Sequence, residues 1–185
     1  MAFNSFKKIC CSVKQPTQKY INQISFLQTM NHSIKVGVSF GLTSSVITTL
    51  GLMVGLYSST NLLGVVLGGI IIIALADAMS DAAGIHMSEE SEGKHSAKEI
   101  WTSTLTTFSA KFLFTITFLV PLFFLPLNLA ILVSIAWGLI LIAVFTYYIT
   151  KKKDALHSIL EHLIITIVVV ILTYFLGKVI NYYFG

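Results

Sequence analysis

The sequence predicts an all-α, polytopic membrane protein with five transmembrane helices preceded by an amphipathic interfacial helix. Three observations predict it. The chain is 55% hydrophobic and only 11% charged, with a mean hydropathy of +0.84, whereas a soluble domain carries about a quarter charged residues. Its apolar residues gather into runs that each reach the roughly 20 residues a helix needs to cross the hydrocarbon. Its lysines are concentrated in short segments flanking those runs, which is the signature of membrane orientation. This composition excludes a disordered chain, a fibrous repeat and nearly every soluble enzyme class. With 185 residues there is room for about four to six spans.

Residues 1–35 are polar to amphipathic and form a cytosolic segment, with Lys7, Lys8, Lys14, Lys19 and Lys35 and no acid. No apolar run follows the first lysines, so this is no secretory signal peptide. Tyr20, Ile24, Leu27 and Met30 recur at helical spacing, which predicts a short helix lying on the interface, with Pro16 in its first turn. The transmembrane domain, 36–185, then runs through spans at 36–57, 62–86, 104–125, 129–149 and 156–182. A tight turn at 58–61 joins the first two. A hydrophilic loop over 87–103 carries Glu89, Glu90, Glu92, Lys94, Lys98 and Glu99. Pro121 and Pro126 close the third span, and Lys151, Lys152, Lys153 and Asp154 form the loop before the fifth.

If the spans alternate, the N-terminal segment, the 87–103 loop and the lysine run all fall on one side. The positive-inside rule makes that side the cytosol and places the C-terminus outside. The expected location is the cell membrane if the source is prokaryotic, and otherwise a vacuolar or other organelle membrane. All 12 basic residues are lysines, against 8 acids; they flank spans, so nucleic-acid binding is not expected. Cys10 and Cys11 are adjacent and give no disulfide framework. They read as reduced thiols or as an acylation site near the membrane surface. Gly37-x3-Gly41, Gly51-x3-Gly55 and Gly64-x3-Gly68 are small-xxx-small patterns, which allow close helix approach either within one bundle or across a homodimer seam.

Charges inside a span are costly and mark ion or proton paths. Asp77 and Asp81 stand at i, i+4 on the second span and share one face. Lys111 lies in the third span, and His157, Glu161 and His162 open the fifth. All fall in the same half of the expected bundle, which predicts one polar site reached from the cytosol. Carboxylates with the Met79 thioether and imidazoles suit a divalent transition metal. Asp77, Asp81 and Met79 are therefore candidate ligands, Glu161 a further ligand or coupling carboxylate, and Lys111 a counter-charge. His86, Glu89, Glu90, Glu92 and His157 form a candidate entrance that gathers cations. The competing reading is an ion-pair cluster that only fixes helix packing. No nucleophile–base pair, zinc-helix motif or phosphate loop is present, so an enzyme is not expected, nor a resident cofactor.

Two segments carry a family likeness. Ser39-Phe40-Gly41-Leu42-Thr43 with Gly51-Leu52, and Ala78-Met79-Ser80-Asp81-Ala82-Ala83-Gly84 followed by Ser88 and Ser91-Glu92, resemble the first- and second-span patterns of the vacuolar iron transporter family, including its nodulin-21-like members. Weaker echoes are Pro121-Leu122 and the segment Thr173 to Lys178. The resemblance implies a dimer with five spans per subunit that moves Fe²⁺ or Mn²⁺ out of the cytosol, often against protons. The chain differs from the pattern at Phe40 and Ile85, where the family has acids, at Asp81, where it has Met, and at Asp77, where it has a small residue. It also lacks the family's long cytosolic metal-binding helices. The function expected from the sequence is thus export of iron or manganese. The alternative is a non-transporting membrane interaction or assembly protein on the same scaffold.

Overall fold

The computed structural model describes residues 18–150 and 155–185, with side chains from His32 onward. Cys10, Cys11, Pro16 and the lysine run at 151–153 lie outside the described residues, as do the side chains of Tyr20, Ile24, Leu27 and Met30. Every described element is helical: α1 (Gln18–Thr60), α2 (Leu63–Glu92), α3 (Ala97–Thr117), α4 (Leu119–Phe124), α5 (Leu127–Ile149) and α6 (Ala155–Phe184). Five helical stretches are long and apolar enough to cross a membrane, namely His32–Thr60, α2, Ala97–Phe124, α5 and α6.

Three boundaries depart from the sequence reading, each for a local reason. The expected interfacial helix is not a separate element, because α1 is continuous from Gln18 through the first apolar run. No proline interrupts it, and Ser33, at the expected junction, is buried. It ends where Asn61 takes a left-handed φ of 52°, a conformation asparagine tolerates better than most residues.

The expected 87–103 loop shrinks to the four residues between α2 and α3. Residues 87–92 are the last turns of α2, closed by Gly93 at φ 63°, the usual glycine helix stop. Residues 97–103 already belong to α3, because Ser96 and Glu99 form a capping box. The Ser96 amide donates to Glu99 Oε2 at 2.8 Å, and the Glu99 amide donates to Ser96 Oγ at 3.4 Å.

The third span is two helices rather than one. Pro121 has no N–H to give to the Thr117 carbonyl, and its ring clashes with that oxygen in a continuous helix. The chain therefore steps at Phe118, whose amide donates instead to Thr115 at 3.1 Å.

The bundle is organised around α1, which packs against α2, α3, α5 and α6. Its Leu42, Val46, Leu50 and Met53 form the middle of a core completed by Val66 and Ile70 of α2, Phe118, Leu122 of α4 and Ile131 and Ile142 of α5. Glycine sets how near the helices come. A Cβ on Gly41 would lie 2.7 Å from the Thr107 carbonyl of α3, and one on Gly177 would lie 2.5 Å from the Gly55 carbonyl. These distances are inside van der Waals contact, so α1 meets α3 at one end and α6 at the other nearly backbone to backbone. The first two small-xxx-small patterns are thus spent within the chain, whereas Gly64 and Gly68 face open space. The outer surface is apolar, with Ile71, Ile72 and Leu75 of α2 and Ile164, Ile171, Leu172 and Phe175 of α6 all exposed.

Candidate functional site

Three helices each bring polar groups to one point. Asp77 and Asp81 lie one turn apart on α2, bracketed by the buried small residues Ala74, Ala78 and Ala82, which let α2 approach its neighbours. Lys111 projects from α3 and is 1% exposed. Its ammonium forms an ion pair with Asp81 Oδ2 and lies 2.6 Å from Asp77 Oδ2. The Asp77 contact has the distance of an ion pair but not the angle of a hydrogen bond, so its attraction is chiefly Coulombic. The third partner comes from α1: Lys111 Nζ donates to Ser44 Oγ at 2.8 Å, and Ser44 Oγ donates to Asp81 Oδ2 at 2.7 Å.

The ammonium is therefore ringed by three oxygens from two other helices. Two carboxylates against one ammonium leave one negative charge in excess. An unpaired charge removed from water costs several kcal/mol, so this group is held only because the partners converge. Asp77 is the midpoint of α2, and Lys111 is mid-way along the 97–124 stretch. Because α2 runs on to Glu92 and α3 begins at Ala97, the cluster is farther from the helix ends than the sequence spans imply. It is sealed on the α3 side but not everywhere: Asp77 and Asp81 keep 26% and 20% exposure. Asp77 lines a lateral groove between α1 and α2 with Leu52, Leu56, Gly69 and Ile73.

The remaining sequence candidates disperse. Met79 is 59% exposed and turns into a different groove, between α2 and α3, shared with His86, Met87 and Trp101. His86 Nδ1 is 3.1 Å from Thr104 Oγ1, and its ring packs edge-on against Trp101. Glu161 does not join the cluster. It pairs with His157 at 3.1 Å on an exposed face of α6, a helix that packs on α1 and α5.

The expected entrance also separates. Glu90 and Glu92 are exposed, with Glu92 3.8 Å from His95. Glu89 instead is buried and accepts a hydrogen bond from the Ser103 hydroxyl. Among the described residues, no three His, Cys, Asp or Glu side chains come together.

Ser44 escaped the sequence reading, although a signal for it exists. Gly37, Gly41 and Ser44 follow at i, i+4, i+7, so the face of α1 that meets α3 also carries Ser44. A second legible stripe is Ser103, Thr107, Lys111 and Thr115, at strict i+4 spacing and all buried, with Thr49 Oγ1 donating to Thr115 Oγ1 at 3.3 Å. Chemically, the centre offers carboxylate and hydroxyl oxygen and no sulfur or imidazole, a donor set for hard cations. Comparison with protein-family models, with curated proteins and with solved structures finds no match for the chain.

Proposed function

We propose that the chain is a multi-pass membrane transporter that moves a divalent metal cation out of the cytosol in exchange for protons. Manganese is favoured over iron. The observation that carries this reading is Lys111: an ammonium at 1% exposure, held by Asp77, Asp81 and Ser44 oxygens, occupies the place a cation would take. Charged groups at mid-span mark ion paths. The oxygen-only donor set, with Met79 and His86 turned elsewhere, is what favours Mn²⁺, since thioether and imidazole suit the softer metals.

The exchange follows from charge. A divalent ion entering between Asp77 and Asp81 cannot coexist with the ammonium. Lys111 gives up one proton to the cytosolic side from which the ion enters, and its neutral amine no longer repels the ion. One ion gained and one proton lost takes the cluster from one negative charge to zero. When the ion leaves on the far side, the amine takes up a proton from that side and the resting pairs re-form.

The resemblance of residues 39–43 and 78–84 to the vacuolar iron transporters supports the same reading, as does the lysine asymmetry that puts the N-terminus in the cytosol. We further propose a homodimer. Because Gly37, Gly41, Gly51 and Gly55 are spent within the bundle, its seam is the open Gly64/Gly68 face of α2 beside the groove that reaches Asp77.

The test uses the full-length protein in liposomes, following Mn²⁺ and proton flux together. Wild type is expected to couple the two, and Asp77→Asn and Asp81→Asn each to abolish both. Absence of flux in wild type, or unchanged flux in both variants, overturns the reading. The second reading, a non-transporting assembly protein, is favoured by Phe40, which is 42% exposed where the resembled family has its first-span acid.

A further inference from the structure

We infer that Ser44 is the specificity-determining ligand of the cation site, the group that fixes its preference for hard, oxygen-seeking ions; this rests on the transport reading above. The argument is the direction of its hydrogen bonds. A serine hydroxyl has one proton and two lone pairs. Ser44 gives its proton to Asp81 Oδ2 at 2.7 Å and accepts from Lys111 Nζ at 2.8 Å. Its lone pairs are thus already turned toward the position of the ammonium, which is the position an ion must occupy.

The neighbouring Ser45 shows what an ordinary buried serine of α1 does. It is fully buried and donates to the Leu42 carbonyl at 2.7 Å, within its own turn. Ser44 makes no such local bond; its hydroxyl reaches across to α2 and α3. The two carboxylates and Lys111 change charge state or partner as the ion comes and goes, whereas the hydroxyl serves ammonium and metal alike without gaining or losing a proton. It is the fixed oxygen of the site. Replacing that oxygen by sulfur should change which ion is taken, because soft ligands select soft metals.

The experiment measures Mn²⁺ and Cd²⁺ uptake by the full-length protein in liposomes, in a Cys10→Ser, Cys11→Ser background so that no native thiol competes. Ser44→Cys is expected to raise the Cd²⁺ over Mn²⁺ preference about tenfold or more. Ser44→Ala should weaken Mn²⁺ about tenfold without that shift. Ser45→Cys, the control for burying a thiol on α1, should leave the preference at the wild-type value. A Ser44→Cys protein that carries Mn²⁺ with the wild-type ratio overturns the assignment.

A direct binding readout separates this from the parent reading. Cd²⁺ added to Ser44→Cys should give a thiolate–Cd²⁺ absorption band in the ultraviolet that is lost when Asp81→Asn is added. If wild type moves no ion, the transport reading fails, while presence or absence of that band still decides for or against Ser44 as a ligand.

Discussion

Two pairs of polar residues share one sequence pattern and meet opposite fates. Asp77 and Asp81 on α2, and His157 and Glu161 on α6, both stand one helical turn apart. The first pair closes on a lysine that is 1% exposed. The second closes on itself at 80% and 57% exposure. The difference comes from what faces each pair. Opposite Asp77 and Asp81, α1 and α3 are drawn together by Gly37 and Gly41, and α2 buries the small Ala74, Ala78 and Ala82 beside its acids, so a long lysine side chain can be enclosed. Among the described residues nothing covers Glu161, which is 57% exposed, since α6 lies against α1 and α5. A shared helix face makes two charges neighbours; only a third and fourth helix make them a site.

The sharpest way to break that contrast is Lys111→Met. It strands two carboxylates in the bundle, and loss of one partner of a buried ion pair costs about 3–5 kcal/mol. A large fall in the unfolding midpoint in detergent is expected. Adding Asp81→Asn should recover much of that stability without restoring ion flux; full recovery of flux would count against the cluster as an ion site.

Next in size is Gly41→Leu, which drives a side chain into the Thr107 carbonyl and Ala110. Overpacking of this kind costs about 1–3 kcal/mol, and here it also pushes Ser44 away from Lys111. The same change at Gly68, where nothing lies within 4 Å, should leave the monomer's unfolding untouched. It should instead reduce the cross-linked dimer in membranes, and an unchanged dimer yield would remove that face from the seam.

Smaller again is Thr115→Val, which removes the 3.3 Å hydroxyl contact with Thr49 and should cost about 1 kcal/mol, read in the same unfolding assay. Smallest is Glu161→Gln. The His157–Glu161 pair is exposed, and exposed pairs contribute under about 1 kcal/mol, so both stability and flux should match wild type. A clear loss of flux would return Glu161 to the transport path.

These contrasts also show what can be read from a single sequence. The helices were legible because apolar runs of the right length leave few alternatives. The pairing of one aspartate of α2 with Lys111 was legible too, since charges at matching depth have few other partners; that both carboxylates meet it, rather than one turning to Glu161, was not. The boundaries were less so. The Ser96-x-x-Glu99 capping box, which turns the tail of the expected loop into helix, is plainly written but was outweighed by the polarity around it. The break at Phe118 is likewise encoded, in the four-residue offset from Pro121 back to Thr117.

What periodicity could not supply was which face of each helix meets which neighbour. Met79 is two residues from both Asp77 and Asp81, and that offset alone turns it to another side. Glu161 lies at a plausible depth on a helix that packs elsewhere. Ser44 is one of three consecutive hydroxyl residues, Thr43 to Ser45, and its place on the Gly37/Gly41 stripe singles it out only once α3 is known to lie against that stripe.

The placement of α1 has a consequence for how the protein is made. This helix leaves the ribosome before the other described helices, yet its far end is completed last. The Asn181 side chain donates to the Ser59 carbonyl across 122 residues, and Gly177 meets Gly55 over a similar separation. Pairings so distant in sequence are slow to form, and an early segment waiting for late partners is exposed to misassembly. Until α3 arrives, Ser44 lacks the Lys111 ammonium and Thr49 its Thr115 partner; until α6 arrives, the Gly51–Gly55 flank stays bare. A nascent chain halted after α5 would therefore hold its ion cluster while one flank of its central helix remained open, a half-built state to which quality-control proteases and insertion chaperones would have access.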